Sequence, residues 1–208
     1  MLVAPEGRFY IGVAWLIVTV LALLHWWIPL ALWLPLAVWV IAFFRDPARD
    51  GPRGAELLLA PADGKIVSVI SIDEPTFLQG PATRISIFMN VFDVHVNRYP
   101  ASGRVAYRLY SRGKFGHAMP EKASSENEQC SLGLDTSRGR VLVRQIAGSI
   151  ARRIVTDDQP GVEVRQAERM GLIRFGSRVD VFLPRGAEIL VHAGQKTRAG
   201  QTVVARWK

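Results

Sequence analysis

The sequence predicts a mainly β domain, folded as a compact β-sandwich, behind an N-terminal membrane-inserted helical segment. Five of the six tryptophans lie before residue 45, in a stretch whose only Lys, Arg, Asp or Glu side chains are Glu6 and Arg8. The other 25 basic and 17 acidic side chains lie in residues 45–208, which therefore carry the whole net charge of +8. That second part, about 160 residues long, is large enough to bury one hydrophobic core.

Residues 1–44 are expected to form a membrane anchor of one or two helices. Residues 9–28 contain no Lys, Arg, Asp or Glu, and as a helix they would rise about 30 Å, the thickness of the bilayer hydrocarbon. Residues 30–44 are also uncharged and would rise about 22 Å. A cleaved signal peptide fits poorly, because there is no basic leading region and no small-residue cleavage site before Arg45. A buried core helix would not stay uncharged for so long.

Two topologies of this anchor are open. The segment His25–Pro29 can form a tight turn at the far interface, where Trp is favoured, so that both ends lie on one side. The alternative is a single bent or re-entrant segment. Arg45, Arg49 and Arg53 follow the second uncharged run, and basic residues next to a membrane segment favour the cytoplasm. We therefore expect a protein of the cell membrane whose main domain lies on the cytoplasmic side.

A polar linker, residues 45–54, is expected to join the anchor to a domain spanning residues 55–208. Beyond the linker, short β-branched runs alternate with Gly, Pro, Asp and Ser, which is typical of strands. The expected strands are Lys65–Ile72, Arg84–Asn90, Arg104–Tyr110, Arg140–Ala147, Arg178–Leu183, Glu188–His192 and Thr202–Trp207. Helical periodicity is weak and favours only a short helix around Val162–Met170. The polar stretch Glu121–Ser131 is expected to be a loop.

The basic surplus and the single cysteine limit the classes of partner. Cys130 alone excludes an intrachain disulfide framework and a cysteine-cluster metal site. The basic charge can be a solvated surface, a nucleic-acid footprint or a surface facing anionic lipid. The anchor favours an anionic membrane surface, and the lack of basic runs with interleaved aromatics argues against nucleic acid.

Two motifs carry candidate chemistry in the first half of the domain. Asp63 belongs to Pro61–Ile66, which can be a plain turn leading into a strand. In strand geometry Asp93, His95 and Asn97 would share one face. Such a stripe can be an ordinary exposed face, half of a metal site, or a general acid/base histidine with a carboxylate neighbour.

Two further motifs lie later in the chain. Gly113–His117, followed by Ser124–Gln129, indicates a loop that covers a ligand or simply connects strands. Gly176-Ser177 lies in Arg174–Pro184, where Gly-Ser before a strand is a common turn. Gly-x-Ser-x-Gly is absent, which argues against the nucleophile elbow of an α/β-hydrolase.

Taken in order behind an apolar anchor, these motifs resemble the phosphatidylserine decarboxylase family, in its short bacterial and archaeal form. The resemblance covers the chain from about Ala4 to its end. The segments that carry it are Phe44-Arg45-Asp46-Pro47, Pro61-Ala62-Asp63-Gly64, Asn90–Arg98, Gly113-Lys114-Phe115, Glu126-Asn127-Glu128 and Phe175-Gly176-Ser177.

The resemblance implies a self-processing enzyme that makes phosphatidylethanolamine from phosphatidylserine. The Ser177 hydroxyl would attack the Gly176 carbonyl, and elimination would then separate chain 1–176 from chain 177–208. The smaller chain would begin with a pyruvoyl group derived from Ser177. This covalent cofactor supplies the electron sink that amino-acid decarboxylation needs and that no standard side chain offers.

The resemblance also implies residue roles. Ser177 matches the pyruvoyl precursor, His95 a proton-transfer histidine, and Asp63 an aspartate that orients or activates groups during self-cleavage. Asn127 and Glu128 match a polar loop that borders the substrate, and no metal is implied. The larger bacterial enzymes carry a second histidine where this chain has Arg98. A processing triad built on that histidine cannot be carried over, so either His95 does both jobs or processing is assisted differently.

The resemblance sharpens the expected fold and leaves two other functions open. Asp63–Val67 and Val191–Val203 look like the two halves of a lipoyl/biotinyl-type β-sandwich, although no lysine stands in a carrier turn. One alternative is a non-catalytic, membrane-tethered lipoyl-like adaptor. The other is a membrane-bound metal hydrolase that uses Asp93 and His95. Homo-oligomerisation is also left open.

Overall fold

The computed structural model describes residues 2–114, 116, 118–119, 126–148, 154–174 and 176–208. The chain divides into two compact units, residues 1–48 and 49–208. Some residues of the sequence motifs lie outside the described residues; they are Phe115, His117, Ser124, Ser125 and Phe175.

The first unit is built from two apolar helices. Strand β1 (Leu2–Val3) pairs with β2 (Arg45–Asp46), and between them lie a 3-10 turn (Pro5–Gly7), α1 (Arg8–Leu23) and α2 (Trp27–Phe43). Among the described residues, one helical stretch, residues 5–23, is long and apolar enough to cross a membrane; α2 is shorter.

The two helices contact each other after a tight turn. The turn falls at His25, which has a left-handed φ of 55°, and the indole Nε1 of Trp33 donates a hydrogen bond to the Ala14 carbonyl at 3.0 Å. The backbone therefore has the tight turn expected at His25–Pro29, and how this helical pair lies in a membrane stays a prediction.

The second unit is made of short and medium-length strands. Their bounds are β3 (Leu57–Leu59), β4 (Gly64–Glu74), β5 (Gly80–Met89), β6 (Val96–Arg98), β7 (Gly103–Ser111), β8 (Gln129–Asp135), β9 (Arg140–Ile146), β10 (Ile154–Thr156), β11 (Glu163–Val164), β12 (Arg169–Ile173), β13 (Ser177–Pro184), β14 (Ala187–Ile189), β15 (Lys196–Thr197) and β16 (Val203–Trp207). The expectation of a mainly β domain behind apolar helices is confirmed.

The strands that the structure describes form one large sheet and two small ones in this unit. The large sheet has the order β11-β7-β8-β9-β13-β5-β4-β15, and the small sheets have the orders β10-β12-β6 and β14-β16-β3. All the strand pairs are antiparallel. Strand β13 lies inside the large sheet, with Ser177 opposite Met89 of β5 and Arg178 opposite Ile146 of β9.

Both faces of β13 are buried, because the large sheet packs on both sides. Val179, Val181 and Leu183 alternate into the main hydrophobic core. Phe182 belongs to a second cluster on the opposite face, with Phe77. There the guanidinium of Arg144 lies 4.8 Å from the centre of the Phe182 ring. Burial lowers the pKa of Arg144, and nearby Asp180 opposes that shift.

The expected helix around Val162–Met170 is wrong. Glu163–Val164 forms β11 beside β7, and Arg169–Ile173 forms β12 beside β6. Between these strands Ala167 has a left-handed φ of 66°, which a helix does not allow. The Arg165 N–H donates to the Glu168 carboxylate at 2.9 Å and closes this turn.

The loop expected at Glu121–Ser131 is wrong for its last three residues. Gln129, Cys130 and Ser131 begin β8, which pairs with β7 on one side and β9 on the other. Pairing on two sides outweighs the polar composition of this stretch. Residues 121–125 lie outside the described part of the chain.

The two segments that look lipoyl-like lie next to each other. Lys65 of β4 pairs with Lys196 of β15, and the Ala60 N–H donates to the Thr202 carbonyl at 2.8 Å. The lipoyl-like arrangement of the two halves stays a prediction.

Candidate active site

Ser177 is the first residue of the central strand β13 and is fully buried. Its hydroxyl donates a hydrogen bond to the sulfur of Met89, directly across the strand pair, at 3.5 Å. The preceding Gly176 has a left-handed φ of 55°, which favours glycine over any residue with a Cβ. The backbone thus turns at Gly176 immediately before β13, and the next peptide bond joins Gly176 to the buried Ser177.

Met89 also contacts the polar stripe that the sequence analysis singled out. The side-chain amide of Asn97, on β6, donates to the same sulfur at 3.7 Å. Gln145 of β9 donates to the Asn97 oxygen at 2.8 Å, and Thr156 donates to the Gln145 oxygen at 2.9 Å. Asn97 and Gln145 are fully buried, so this network satisfies polar groups that water does not reach.

His95 lies two residues before Asn97 and is also fully buried. Its Nδ1 lies 2.9 Å from the Asp93 carbonyl oxygen. A carbonyl only accepts, so this hydrogen bond requires a proton on Nδ1 and leaves Nε2 of the neutral ring as the proton acceptor. The local backbone therefore selects the tautomer of His95.

Asp93 belongs to a turn and not to the strand that follows it. Its carboxylate accepts a hydrogen bond from the Asn90 N–H at 2.8 Å, while the Asn90 side chain accepts from the Phe92 N–H at 2.8 Å. Strand geometry, which would put Asp93, His95 and Asn97 on one face, is thus wrong for Asp93 and His95, because the Asp93 carboxylate closes the turn after β5 and β6 begins only at Val96. Across the described ranges, no group of three or more His, Cys, Asp or Glu side chains is arranged to hold a metal ion.

Asn127 ties three backbone segments together and is buried. Its side-chain nitrogen donates to the Ala147 carbonyl at 2.7 Å and to the Gly116 carbonyl at 2.8 Å. Its side-chain oxygen accepts from the Gly116 N–H at 3.1 Å. Ala147 is the residue after β9, so Asn127 holds the chain beside the start of β13.

Glu128 adds a backbone contact at the same place. Its carbonyl accepts the Ala147 N–H at 2.9 Å. Its side chain lies near Tyr110: burial first, and then a hydrogen bond to Glu128, raise the pKa of the Tyr110 hydroxyl. The polar loop predicted from the sequence thus reaches the segment next to Ser177 through backbone and amide groups.

Asp63 makes its contacts elsewhere. Both of its carboxylate oxygens accept from the Nη2 of Arg49, at 2.9 and 2.8 Å, and one also accepts the Ala199 N–H at 2.7 Å. Asp63 precedes β4, and β5 separates β4 from β13. Its contacts therefore join the start of the domain to residue 199 near the end of the chain.

Arg98 is the residue at which this sequence departs from the pattern implied by the resemblance. Its side chain donates to the Ala167 carbonyl at 3.0 Å, and its backbone N–H donates to the Pro61 carbonyl at 2.9 Å. These contacts stabilise the turn before β12.

Arg178, the residue after Ser177, forms a buried ion pair. Its Nη2 and Nε each lie 2.9 Å from an oxygen of Asp180, and its Nη1 donates to the Ala118 carbonyl at 3.3 Å. This two-point contact fixes β13 immediately after Ser177.

The sequence motifs indicated Ser177, His95 and Asn127 as candidates, and their roles stay predictions; Met89 and Gln145 were not among the candidates. Each of these two lies in an ordinary strand, and only the pairing of β5 and β9 with β13 brings it to the site. The available signal for Gln145 was the polar pair Arg144-Gln145 inside the otherwise apolar stretch of residues 141–147.

Comparisons with known proteins identify the family of this chain. The family model for phosphatidylserine decarboxylase matches residues 36–205. The chain is 46% identical to a phosphatidylserine decarboxylase proenzyme of Symbiobacterium thermophilum over 206 residues, covering 99% of this chain and 95% of the relative. It is 47% identical to one of Ruegeria pomeroyi (97% and 93%) and 49% identical to one of Trichlorobacter lovleyi (86% and 81%). The chain therefore belongs to the phosphatidylserine decarboxylase family.

Proposed function

We propose that this chain is a proenzyme that cuts itself between Gly176 and Ser177 and then decarboxylates phosphatidylserine to phosphatidylethanolamine. The observation that carries the proposal is the placing of Ser177 at the buried start of the central strand, directly after a left-handed glycine. Membership of the family and the proenzyme names of the relatives support it.

Self-cleavage begins at the hydroxyl of Ser177. Its oxygen bonds to the Gly176 carbonyl carbon, the peptide C–N bond breaks, and the proton passes to the nitrogen, which leaves an ester and a free amine. Loss of the Ser177 Cα proton and cleavage of its Cβ–O bond expel the Gly176 carboxylate as the end of chain 1–176. Water then hydrolyses the dehydroalanine that remains; its nitrogen leaves as ammonia, and a pyruvoyl group stands at the start of chain 177–208.

The residues around Ser177 suit such a group. Ser177 is fully buried against Met89, and Met89 in turn accepts a hydrogen bond from Asn97, so neither neighbour brings a hydroxyl, thiol or amine that would compete with the serine. When formed, the pyruvoyl carbonyl supplies the electron sink for loss of carbon dioxide. Strand β13 is paired along both edges, so the two chains stay together after the cut.

We assign the remaining site residues as follows. His95, with its proton on Nδ1, accepts or donates a proton at Nε2 during decarboxylation. Asn127 and Glu128 border the site through their contacts with Ala147. Asp63 acts in self-cleavage through Arg49 and Ala199, by holding the parts of the domain in place.

We further infer that residues 1–44 anchor the enzyme, that residues 45–54 link the anchor to the domain at 55–208, and that this domain faces the cytoplasm. The apolar helix at residues 5–23 supports the anchor. The net charge of +8, carried by residues 45–208, suits an anionic lipid surface that contains the substrate.

Denaturing gels with intact-mass analysis of the purified full chain test the proposal. We expect two pieces, the smaller one 32 residues long and blocked at its N-terminus. Ser177→Ala should stay uncut and inactive, whereas Ser86→Ala, which changes a fully buried serine of β5, should be cut normally. A single uncut chain in an active preparation would contradict the proposal.

A further inference from the structure

Gly148 lies opposite the peptide that the proposed reaction cuts. Strands β9 and β13 are antiparallel, with Ile146 opposite Arg178. Two residues beyond that pair, Gly148 therefore comes level with Gly176. Both residues lie just outside their strands, at the point where the regular ladder ends.

The carbonyl oxygen of Gly176 fills the space where a side chain at residue 148 would begin. A Cβ built on Gly148 would lie 1.7 Å from that oxygen and 2.8 Å from the carbonyl carbon. Both neighbours are backbone atoms, so no flexible side chain can move aside. By contrast, a Cβ built on Gly176 meets nothing within 4 Å, and its left-handed φ alone calls for glycine there.

From this geometry we infer that Gly148 is part of the self-cleavage machinery, because its missing side chain gives room to the oxygen of the carbonyl under attack. The inference rests on the proposed self-cleavage at Gly176-Ser177. The φ of Gly148 is not left-handed, so the conformation of residue 148 does not itself require glycine. Glycine is required at residue 148 because the Gly176 carbonyl oxygen occupies the space of a side chain.

The chemistry explains why the position of this oxygen matters. As the Ser177 oxygen bonds to the carbonyl carbon, the C=O electrons move onto the Gly176 oxygen, and they return when the C–N bond breaks. The oxygen must keep one place while the carbon becomes tetrahedral. In the uncut chain that place is against the backbone of Gly148, and any larger residue there displaces the carbonyl from the serine.

Asn127 is the positioning residue for Gly148. It donates to the Ala147 carbonyl at 2.7 Å, and the Ala147 N–H donates to the Glu128 carbonyl at 2.9 Å. These two hydrogen bonds fix the backbone of Ala147, the residue before Gly148, through both its carbonyl and its N–H. Asn127 touches no atom of the scissile peptide in these contacts, so its effect on cleavage passes through residues 147 and 148.

Pulse-labelled cell-free synthesis of the full chain into lipid vesicles, followed on denaturing gels, measures the rate of self-cleavage. We expect Gly148→Ala to slow cleavage by about 100-fold, the loss that a misplacement of about 1 Å causes. Gly103→Ala is the matched control. A Cβ there lies 2.3 Å from the Asp135 carbonyl oxygen, again without a left-handed φ, but far along the chain from the cut. It should lose stability and still be cut.

A block before the ester forms has a chemical signature. Hydroxylamine cleaves esters, so it should not release chain 177–208 from uncut Gly148→Ala. Cleavage of that variant at the rate of Gly103→Ala would overturn the inference. If the unchanged chain itself is not cut, the proposed self-cleavage fails. Failure of the proposed function can therefore be told apart from failure of the inference about Gly148.

Asn127 variants decide the matter if Gly148→Ala does not fold. Asn127→Asp turns both carbonyl contacts into repulsions while the introduced carboxyl is ionised, and protonation restores a donor. We expect its cleavage rate, relative to the unchanged chain, to recover as the pH falls, whereas Asn127→Leu stays slow at every pH. Equal, pH-independent rates for both variants and the unchanged chain would overturn the inference.

Discussion

The hydroxyl of Ser177 donates its hydrogen bond to the sulfur of Met89, at 3.5 Å and 88 residues away in the chain. A thioether is a weak acceptor, so the proposed nucleophile is held loosely in a fully buried place. The same sulfur receives the Asn97 amide at 3.7 Å. Met89 thus orders two polar groups without binding either of them strongly.

This contact predicts that Met89→Leu is cut at nearly the normal rate. The volumes are similar, and loss of a weak acceptor costs less than an ordinary hydrogen bond, so the rate should change by less than about tenfold. Pulse-labelled cleavage kinetics measure it. A larger loss would assign the sulfur a direct role in activating Ser177.

His95→Gln is expected to separate self-cleavage from decarboxylation. The Ser177 hydroxyl bonds to Met89, whereas His95 bonds to the Asp93 carbonyl, so the variant should still be cut. Its decarboxylation rate should fall by about 10²–10⁴-fold, the usual contribution of a proton-transfer group. The assay is release of labelled carbon dioxide from phosphatidylserine by chain that gels show to be cut. An uncut variant would mean that His95 serves both steps.

Asp63 and Arg49 are expected to behave as one unit. The ion pair is largely buried, with its side chains 14% and 7% exposed, and removal of one partner costs about 3 kcal/mol or more. Asp63→Asn and Arg49→Gln should therefore lower the unfolding temperature and the cleavage rate together, and the double variant should lose little more than either single one. A variant Asp63→Asn that stays uncut beside a normally cut Arg49→Gln would show that Asp63 acts on the cut directly.

An element of this structure is predictable from the sequence when neighbouring residues determine it, and not when residues distant in the chain determine it. Strands such as β5 and β13 are predictable because their β-branched alternation is local. The turn at Ala167 is not, since its φ of 66° depends on contacts between β11, β12 and their partners. The site divides in the same way: Ser177 and His95 stand in recognisable motifs, whereas Met89 and Gly148 matter only through the residues that face them across the sheet.

Tyr99 predicts a loss of stability at high pH. Its hydroxyl donates to the Asp158 carboxylate at 2.7 Å, and burial, followed by that hydrogen bond, raises its pKa above the ordinary value. The neutral phenol is favoured in the fold, so its contribution is complete below about pH 10, the pKa in the unfolded chain. It is lost as the pH rises further, because only the unfolded chain then releases the proton.

Tyr99→Phe isolates this contribution. The variant should lose about 1.5–3 kcal/mol at neutral pH, the value of a hydrogen bond to a charged group. Urea midpoints between pH 7 and 11 should converge for the two proteins as the pH rises. A constant gap between the midpoints would mean that the phenol does not titrate as expected.

Cysteine labelling tests the side on which the domain lies. Cys130, the only cysteine, is buried, so an introduced thiol reports alone. Leu24, in the turn between α1 and α2, is 51% exposed, and Ser137, between β8 and β9, is exposed. If both helices cross the membrane, an impermeant maleimide should label Leu24→Cys in intact cells, and Ser137→Cys only after permeabilisation.

Labelling of Ser137→Cys in intact cells would place the domain outside, away from the side that Arg45, Arg49 and Arg53 favour. Protection of Leu24→Cys, with Ser137→Cys still inside, would mean that the helices enter the bilayer without crossing it.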